Sequence, residues 1–192
     1  MGSRYVALVR GINVGRAKRV AMADLRSLLE ELGCRDVRTL LNSGNVVFTS
    51  DRRAPARIAD QIEGSMLSRL GVRGRVIVLP QSEFATAVDE NSLAAVASDP
   101  TRLLVAFCQD TDRFQKLKRL EREDWGPDAL ATGSKTAYVW CASGILGSEL
   151  LAAVGRTLGD STTTRNWATV MKINAELQAL SKSRDGGRRP KG

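Results

Sequence analysis

Residues 5–9, YVALV, are apolar or aromatic without a break, and a run that does not alternate reads as a strand buried on both faces. Arg10 ends the run. Gly11, Asn13 and Gly15 follow directly, residue types that let a backbone turn sharply and leave its N–H groups outward. Beyond a basic loop carrying Arg16, Lys18 and Arg19, the positions Met22, Leu25, Leu28, Leu29 and Leu32 keep helical spacing, and Gly33 stands where a helix C′ residue belongs. Residues 37–41 and 46–49 read as strands joined by a tight turn at Asn42-Ser43-Gly44-Asn45, because Gly and Asn accept the positive φ of hairpin turns. Pro55 suits the first turn of a second helix, whose Ile58, Ile62, Met66 and Leu70 fall four apart before Gly71. Residues 75–79 form a fourth strand, and Ser82 and Glu83 open a short helix ending near Val88. Strand–helix–strand–strand–helix–strand is the order of a split β-α-β, or ferredoxin-like, unit, whose first and third strands are central.

Residues 89–101, with Asn91, Ser92, Ser98, Asp99 and Pro100, read as a connector, after which the order repeats. RLLVAFC at 102–108 is a strand, and 112–124 is helical with Phe114, Leu117 and Leu120 on one side until Trp125-Gly126-Pro127 breaks it. Strands at 129–132 and 136–141 flank Gly133-Ser134. A helix through Leu150, Leu151, Val154 and Leu158 closes at Gly159, and 161–165 is a Thr-rich strand. The last helix turns Val170, Met171, Asn174, Leu177 and Leu180 inward. The expectation is an α+β chain of two ferredoxin-like subdomains, residues 1–90 and 91–181, a structural duplication with an extra helix after each and a basic, disordered tail at 182–192.

Composition narrows the chemistry. With 192 residues, 43% hydrophobic and 26% charged, the chain suits a soluble globular protein of one large core or two domains. Apolar runs stop well short of the ~18 residues of a membrane span, and residues 1–10 lead straight into a core strand, which leaves no room for a signal peptide. A cytoplasmic protein without membrane association is expected. Cys34, Cys108 and Cys141 are odd in number and widely spaced, against a disulfide framework or a thiolate metal site. There is no histidine, which removes Ser-His-Asp and Cys-His catalysis, the H-E-x-x-H zinc site and a histidine general base. No cofactor and no metal are implied. The net charge is +8; the last 12 residues hold five cations against Asp185, which leaves +4 there and +4 for the rest. The folded part is only mildly basic.

The loop after the first strand combines glycines, cations and a following helix N-terminus, so Arg10, Asn13, Arg16 and Lys18 are candidates for holding an anion. It matches neither G-x-G-x-x-G nor the P-loop, and the glycines are equally explained as the chain's exit from the strand. Asn45 is a candidate through the hairpin turn, which is expected where the first strand begins, opposite the loop at 11–15. Arg165, at a strand end beside a helix, has the fork for a carboxylate or phosphate or for an internal acid, and Asn166 suits an N-cap. Tyr138 and Trp140 share one strand face, either core or a stacking platform. No catalytic constellation appears. The reading is therefore a non-catalytic module binding an anionic small molecule or a nucleic-acid backbone. The alternative is a histidine-free enzyme acting on a phosphorylated or carboxylated small molecule, with Asp24, Glu149 or Tyr138 as acid or base.

Three segments, YVALVRGINVG with VAMADLRSLLEELG after it, VRTLLNSGNVVF, and TTRNWATVMKI, resemble the bacterial family catalogued as domain of unknown function 1697, over roughly residues 5–177. The resemblance implies two ferredoxin-like subdomains and no established activity. Two stretches depart from the family pattern: Gly15-Arg16-Ala17-Lys18-Arg19 stands for Gly-Gly-Lys-Asn-Lys, and Gly147 and Glu149 stand for an Arg and a Lys.

Overall fold

The unbroken apolar run becomes a central strand because both of its faces are covered. β1 (Ser3–Arg10) is followed by α1 (Met22–Glu31), β2 (Arg35–Leu40), β3 (Asn45–Ser50), α2 (Pro55–Ser65) and β4 (Arg75–Pro80). The structure, a computed structural model, describes residues 2–13, 19–108 and 110–185. The four strands form an antiparallel sheet in the order β2-β3-β1-β4. Tyr5, Ala7 and Val9 share one face with Val46, Phe48, Val76 and Val78, and pack with Leu25, Leu28 and Leu29 of α1 and Ile58 and Ile62 of α2. The alternate residues Val6, Leu8, Val47 and Ile77 are buried as well. Burying each such side chain is worth roughly 1.5–3 kcal/mol.

α2 continues through a π-helical turn, Met66–Leu70, and stops at Gly71 with φ 63°. Ile58, Ile62, Met66 and Leu70 repeat every four residues, more slowly than the 3.6 of an α-helix, and a widened last turn keeps that stripe facing the sheet.

α3 (Gln81–Asp89) leads to the second sheet: β5 (Leu103–Cys108), β6 (Ala129–Thr132), β7 (Thr136–Trp140), α4 (Glu149–Leu158), β8 (Thr162–Asn166) and α5 (Trp167–Asp185). Its order is β6-β7-β5-β8, again antiparallel. Leu104, Ala106, Ala137 and Val139 pack with Leu150, Val154 and Leu158 of α4, and with Phe114 and Leu117. The described residues thus make two four-stranded antiparallel sheets and five α-helices, an α+β architecture. None of the helices is long and apolar enough to cross a membrane, among the described residues. The chain divides into two compact units, residues up to Phe84 with those from Lys172 onward, and Ala85–Met171.

Four expectations change. The helix expected at 112–124 is a pair of 3-10 helices, Thr111–Lys118 and Leu120–Arg122. Phe114, Leu117 and Leu120 lie three apart, and only a three-residue turn keeps such a row in line. In α5 the inward residues are Val170, Ile173, Leu177 and Leu180; Met171 is 42% exposed and Asn174 only partly buried. The Thr-rich strand runs Thr162–Asn166, with Thr162 and Thr163 buried and Thr164 exposed. α5 continues to Asp185, and residues 186–192 of the expected tail lie outside the described residues.

Candidate functional site

The end of β1 is built by the hairpin between β2 and β3. Because β3 runs antiparallel to β1, its first residue Asn45 pairs with Leu8, and Val9 donates from its N–H to Gly44 O at 2.8 Å. The turn therefore lies beside the Gly11–Asn13 exit and not at the opposite end of the sheet, as expected from chain order. The error was one of direction: β2 returns parallel to β1, so the turn after it sits where β1 finishes. Gly44 has φ 73°, and a Cβ there would fall 2.8 Å from both Val9 and Ile12, so hairpin and exit loop touch at backbone distance.

Asn13, with φ 58°, ties these pieces together. Its Nδ2 donates to Val20 O at 3.0 Å and Asn42 O at 2.9 Å, while Oδ1 accepts from Val20 N–H at 2.8 Å. Its amide thus clasps the two ends of the loop and the hairpin. Arg16 and Lys18, inside that loop, lie outside the described residues. Asn45 is fully buried; its Nδ2 donates to Leu40 O at 3.1 Å and Ser43 Oγ at 2.9 Å.

Arg10 is exposed and stands directly opposite Arg75 in the β1–β4 ladder. Val9 and Val76 face the helices, so the next residues of each strand, Arg10 and Arg75, share the other face. The Arg75 side chain is 72% exposed; its Nη1 lies 3.5 Å from Glu63 Oε2, while Glu63 Oε1 accepts from Val76 N–H at 2.8 Å. Arg19 and Arg73 are exposed nearby in sequence. Arg75 was missed from the sequence. The available signal was that the fourth strand, beside the first and antiparallel to it, begins where the first ends.

Arg165 and Asn166 belong to the second unit. Arg165 pairs with Val105 and is only 9% exposed, on the sheet face away from α4. Its Nη1 donates to Thr163 Oγ1 and Thr164 O, both at 2.8 Å, and burial pulls its pKa down to about 10, which still leaves it charged at neutral pH. Asn166 caps α5, with Oδ1 accepting from Thr169 N–H at 2.9 Å. On the same face as Arg165, Tyr138 is fully buried, its OH donating to Ala87 O at 2.7 Å and accepting from Thr136 Oγ1 at 2.8 Å. Burial pushes the Tyr138 pKa up to about 12. Tyr138 and Trp140 are therefore core and offer no stacking platform.

A pocket of about 500 Å³ opens in the second unit beside Trp125, Asp128, Leu146, Ser148 and Leu150. Gly147 and Glu149, noted above, also line it. Asp128 accepts from Ala142 N–H at 2.9 Å and Ser148 Oγ at 2.7 Å, and Ser148 Oγ accepts from Leu151 N–H at 3.1 Å to cap α4. These polar groups hold the loop. The three cysteines are buried, and desolvation raises the pKa of Cys34 and of Cys141. Among the described residues no group of three or more Cys, Asp or Glu is placed to hold a metal.

No curated protein matches the chain. Among solved structures it resembles the conserved bacterial protein SP0830 from Streptococcus pneumoniae, at 27% identity over 92% of this chain and 99% of that chain, with a TM-score of 0.69. The family model described as "Protein of unknown function (DUF1697)" matches residues 2–138, which takes in the RGINVG and SGNVVF blocks; the TTRNW block lies beyond the match. With well over half its length inside that match, the chain belongs to the DUF1697 family, proteins of unknown function.

Proposed function

We propose that the chain is a non-catalytic binding module for an anionic ligand, held where β1 ends and β4 begins. The observation that carries this reading is the Arg10–Arg75 pair. The two guanidinium groups, rooted directly opposite one another on one sheet face, are placed to make two charge-assisted contacts to one anion. Arg16 and Lys18 remain proposed contributors from the adjoining loop, while Asn13 and Asn45 support the site through the backbone bonds described above. Arg165 and Asn166 are proposed to serve the second unit, the one as a buried guanidinium and the other as a cap. The shared strand order of the two sheets supports reading residues 1–90 and 91–181 as two ferredoxin-like copies. Three buried free thiols support a cytoplasmic setting. The enzymatic alternative loses Tyr138, whose hydroxyl is sealed in the core.

Calorimetric titration of the full chain with phosphate-bearing probes tests the reading. Wild type should bind, and Arg10→Ala should bind about tenfold or more weakly with an unchanged circular dichroism spectrum. Equal affinity of the two proteins sinks the assignment of the site.

A further inference from the structure

An edge strand presents unpaired N–H and C=O groups, and proteins blunt such edges with bulges, proline, charge or covering side chains. Among the described residues, three of the four edge strands of the two sheets are blunted. β2 has a break in register between Arg35 and Arg38, with Asp36 at φ 54°. β4 ends in Pro80, and its Val76 N–H donates to Glu63 Oε1 at 2.8 Å. In β8, Thr164 O accepts from the Arg165 guanidinium at 2.8 Å. β6 has none of these devices: Ala129-Leu130-Ala131-Thr132 is uncharged and pairs with β7 without a shift. Gly133 N–H donates to Thr136 O at 2.9 Å, so the bonds to β7 fall on alternate residues, Ala129, Ala131 and Gly133. The N–H and C=O of Leu130 and Thr132 therefore point off the open edge, without a partner among the described residues.

The geometry points to this edge as a homodimer surface, paired antiparallel with β6 of a second copy about a two-fold axis at Ala131. Leu130 of each copy then faces Thr132 of the other, and each pair exchanges N–H···O bonds in both directions. Ala131 meets its own copy in the close, non-bonded position, where a methyl group fits. The neighbouring two-fold registers fail on donors already used. An axis at Leu130 would set Thr132 against Asp128, whose N–H is given to Trp125 O at 3.3 Å. An axis at Thr132 would set Leu130 against Ser134, whose N–H is given to Glu90 Oε2 at 2.8 Å. Charge favours the same occupant. The pocket where β6 begins is lined by the carboxylates of Asp124, Asp128 and Glu149, with no Lys or Arg in its described lining. Antiparallel pairing brings the far end of the second β6, and the turn with exposed Lys135 that follows it, to this end of the sheet. The two-fold axis makes that match twice. With a strand of 4 residues on each side, the contact belongs to the small class, below about 1,200 Å², that associates weakly and reversibly.

Sedimentation equilibrium of the full chain between about 10 µM and 1 mM, the range suited to a small interface, tests the assignment. Wild type should pass from monomer to dimer across it. Thr132→Pro deletes an outward N–H that β7 does not use, and should stay monomeric while melting near the wild-type temperature. Lys135→Glu sets like charges together at both ends of the paired strands and should weaken dimerisation about tenfold or more. Oxidised with copper phenanthroline, Ala131→Cys should form a disulfide-linked dimer, because the axis sets this residue opposite itself, whereas Ala129→Cys should not. A chain that is monomeric up to about 1 mM overturns the proposal. So does a dimer that survives both Thr132→Pro and Lys135→Glu, which would put the contact on another surface. Should Thr132→Pro fail to fold, the two cysteine variants decide: linkage at 131 and not at 129 upholds the register, and equal linkage or none overturns it.

Discussion

At Asn13 one side-chain amide meets both backbone groups of Val20, donating to its carbonyl and accepting from its N–H, and donates again to Asn42 O. Such bonds contribute about 0.5–1.5 kcal/mol each, and together they place a loop exit that hairpin residues alone do not hold. The sequence identifies Asn13 as a polar residue able to adopt positive φ, but a ligand contact and a clasp need the same residue type. What separates them is the position of Val20 and Asn42, seven and 29 residues away. Tyr138 is another residue whose surroundings decide its role. Its pKa is pushed from 10 up to about 12 by desolvation, so in the unfolded chain it ionises first. The fold keeps its full Tyr138 contribution below about pH 10 and loses it as pH rises towards about 12, because the unfolded state then releases a proton that the folded state retains. Tyr138→Phe loses the bonds to Ala87 and Thr136 and is less stable near neutrality. The difference between the two proteins, measured by urea unfolding, should narrow steadily across that alkaline window.

Among the elements, hydrophobic spacing was legible wherever one period dominated. The stripe at Leu25, Leu28 and Leu29 and the run of β1 appear as the pattern predicts. Where two registers compete, the pattern alone does not choose. In α5, Met171 and Asn174 fit one stripe and Ile173 another, and burial selects Val170, Ile173, Leu177 and Leu180. Leu177→Ala should therefore cost about 2–5 kcal/mol in a urea melt, whereas Met171→Ala should stay within about 0.5 kcal/mol. A Met171 variant as damaging as the Leu177 one would mean the helix is turned the other way. The exposed Arg38–Glu176 ion pair, between β2 and α5, adds little beside this, since such pairs are worth about 0–1 kcal/mol.

For the whole molecule, the +8 net charge is a poor guide to what is bound, because half of it belongs to the last 12 residues. The local arrangement in the first unit sets the expectation instead. A single phosphate held there implies that log affinity falls with a slope of about 1 or less against log salt, far below that of a protein tracking many phosphates. Titrations between low and physiological salt measure that slope directly. A steep slope shared by Arg10→Ala would place the anion elsewhere on the chain.

The element order, the buried central strands, the hairpin and the absence of histidine chemistry all follow from the sequence, because each depends on residues close together in the chain: a period, a turn dipeptide, a composition. Strand direction and register follow from none of these. Asn42 beside Asn13 and Arg10 opposite Arg75 exist only once β3 and β4 lie antiparallel against β1. The same holds for Arg165, which on sequence is a strand-end cation open to a ligand and in the fold is a buried guanidinium held by Thr163 and Thr164. Pairing between residues as distant as Arg10 and Arg75, 65 positions apart, is a property of the packed sheet, and the candidate site is made of such pairs.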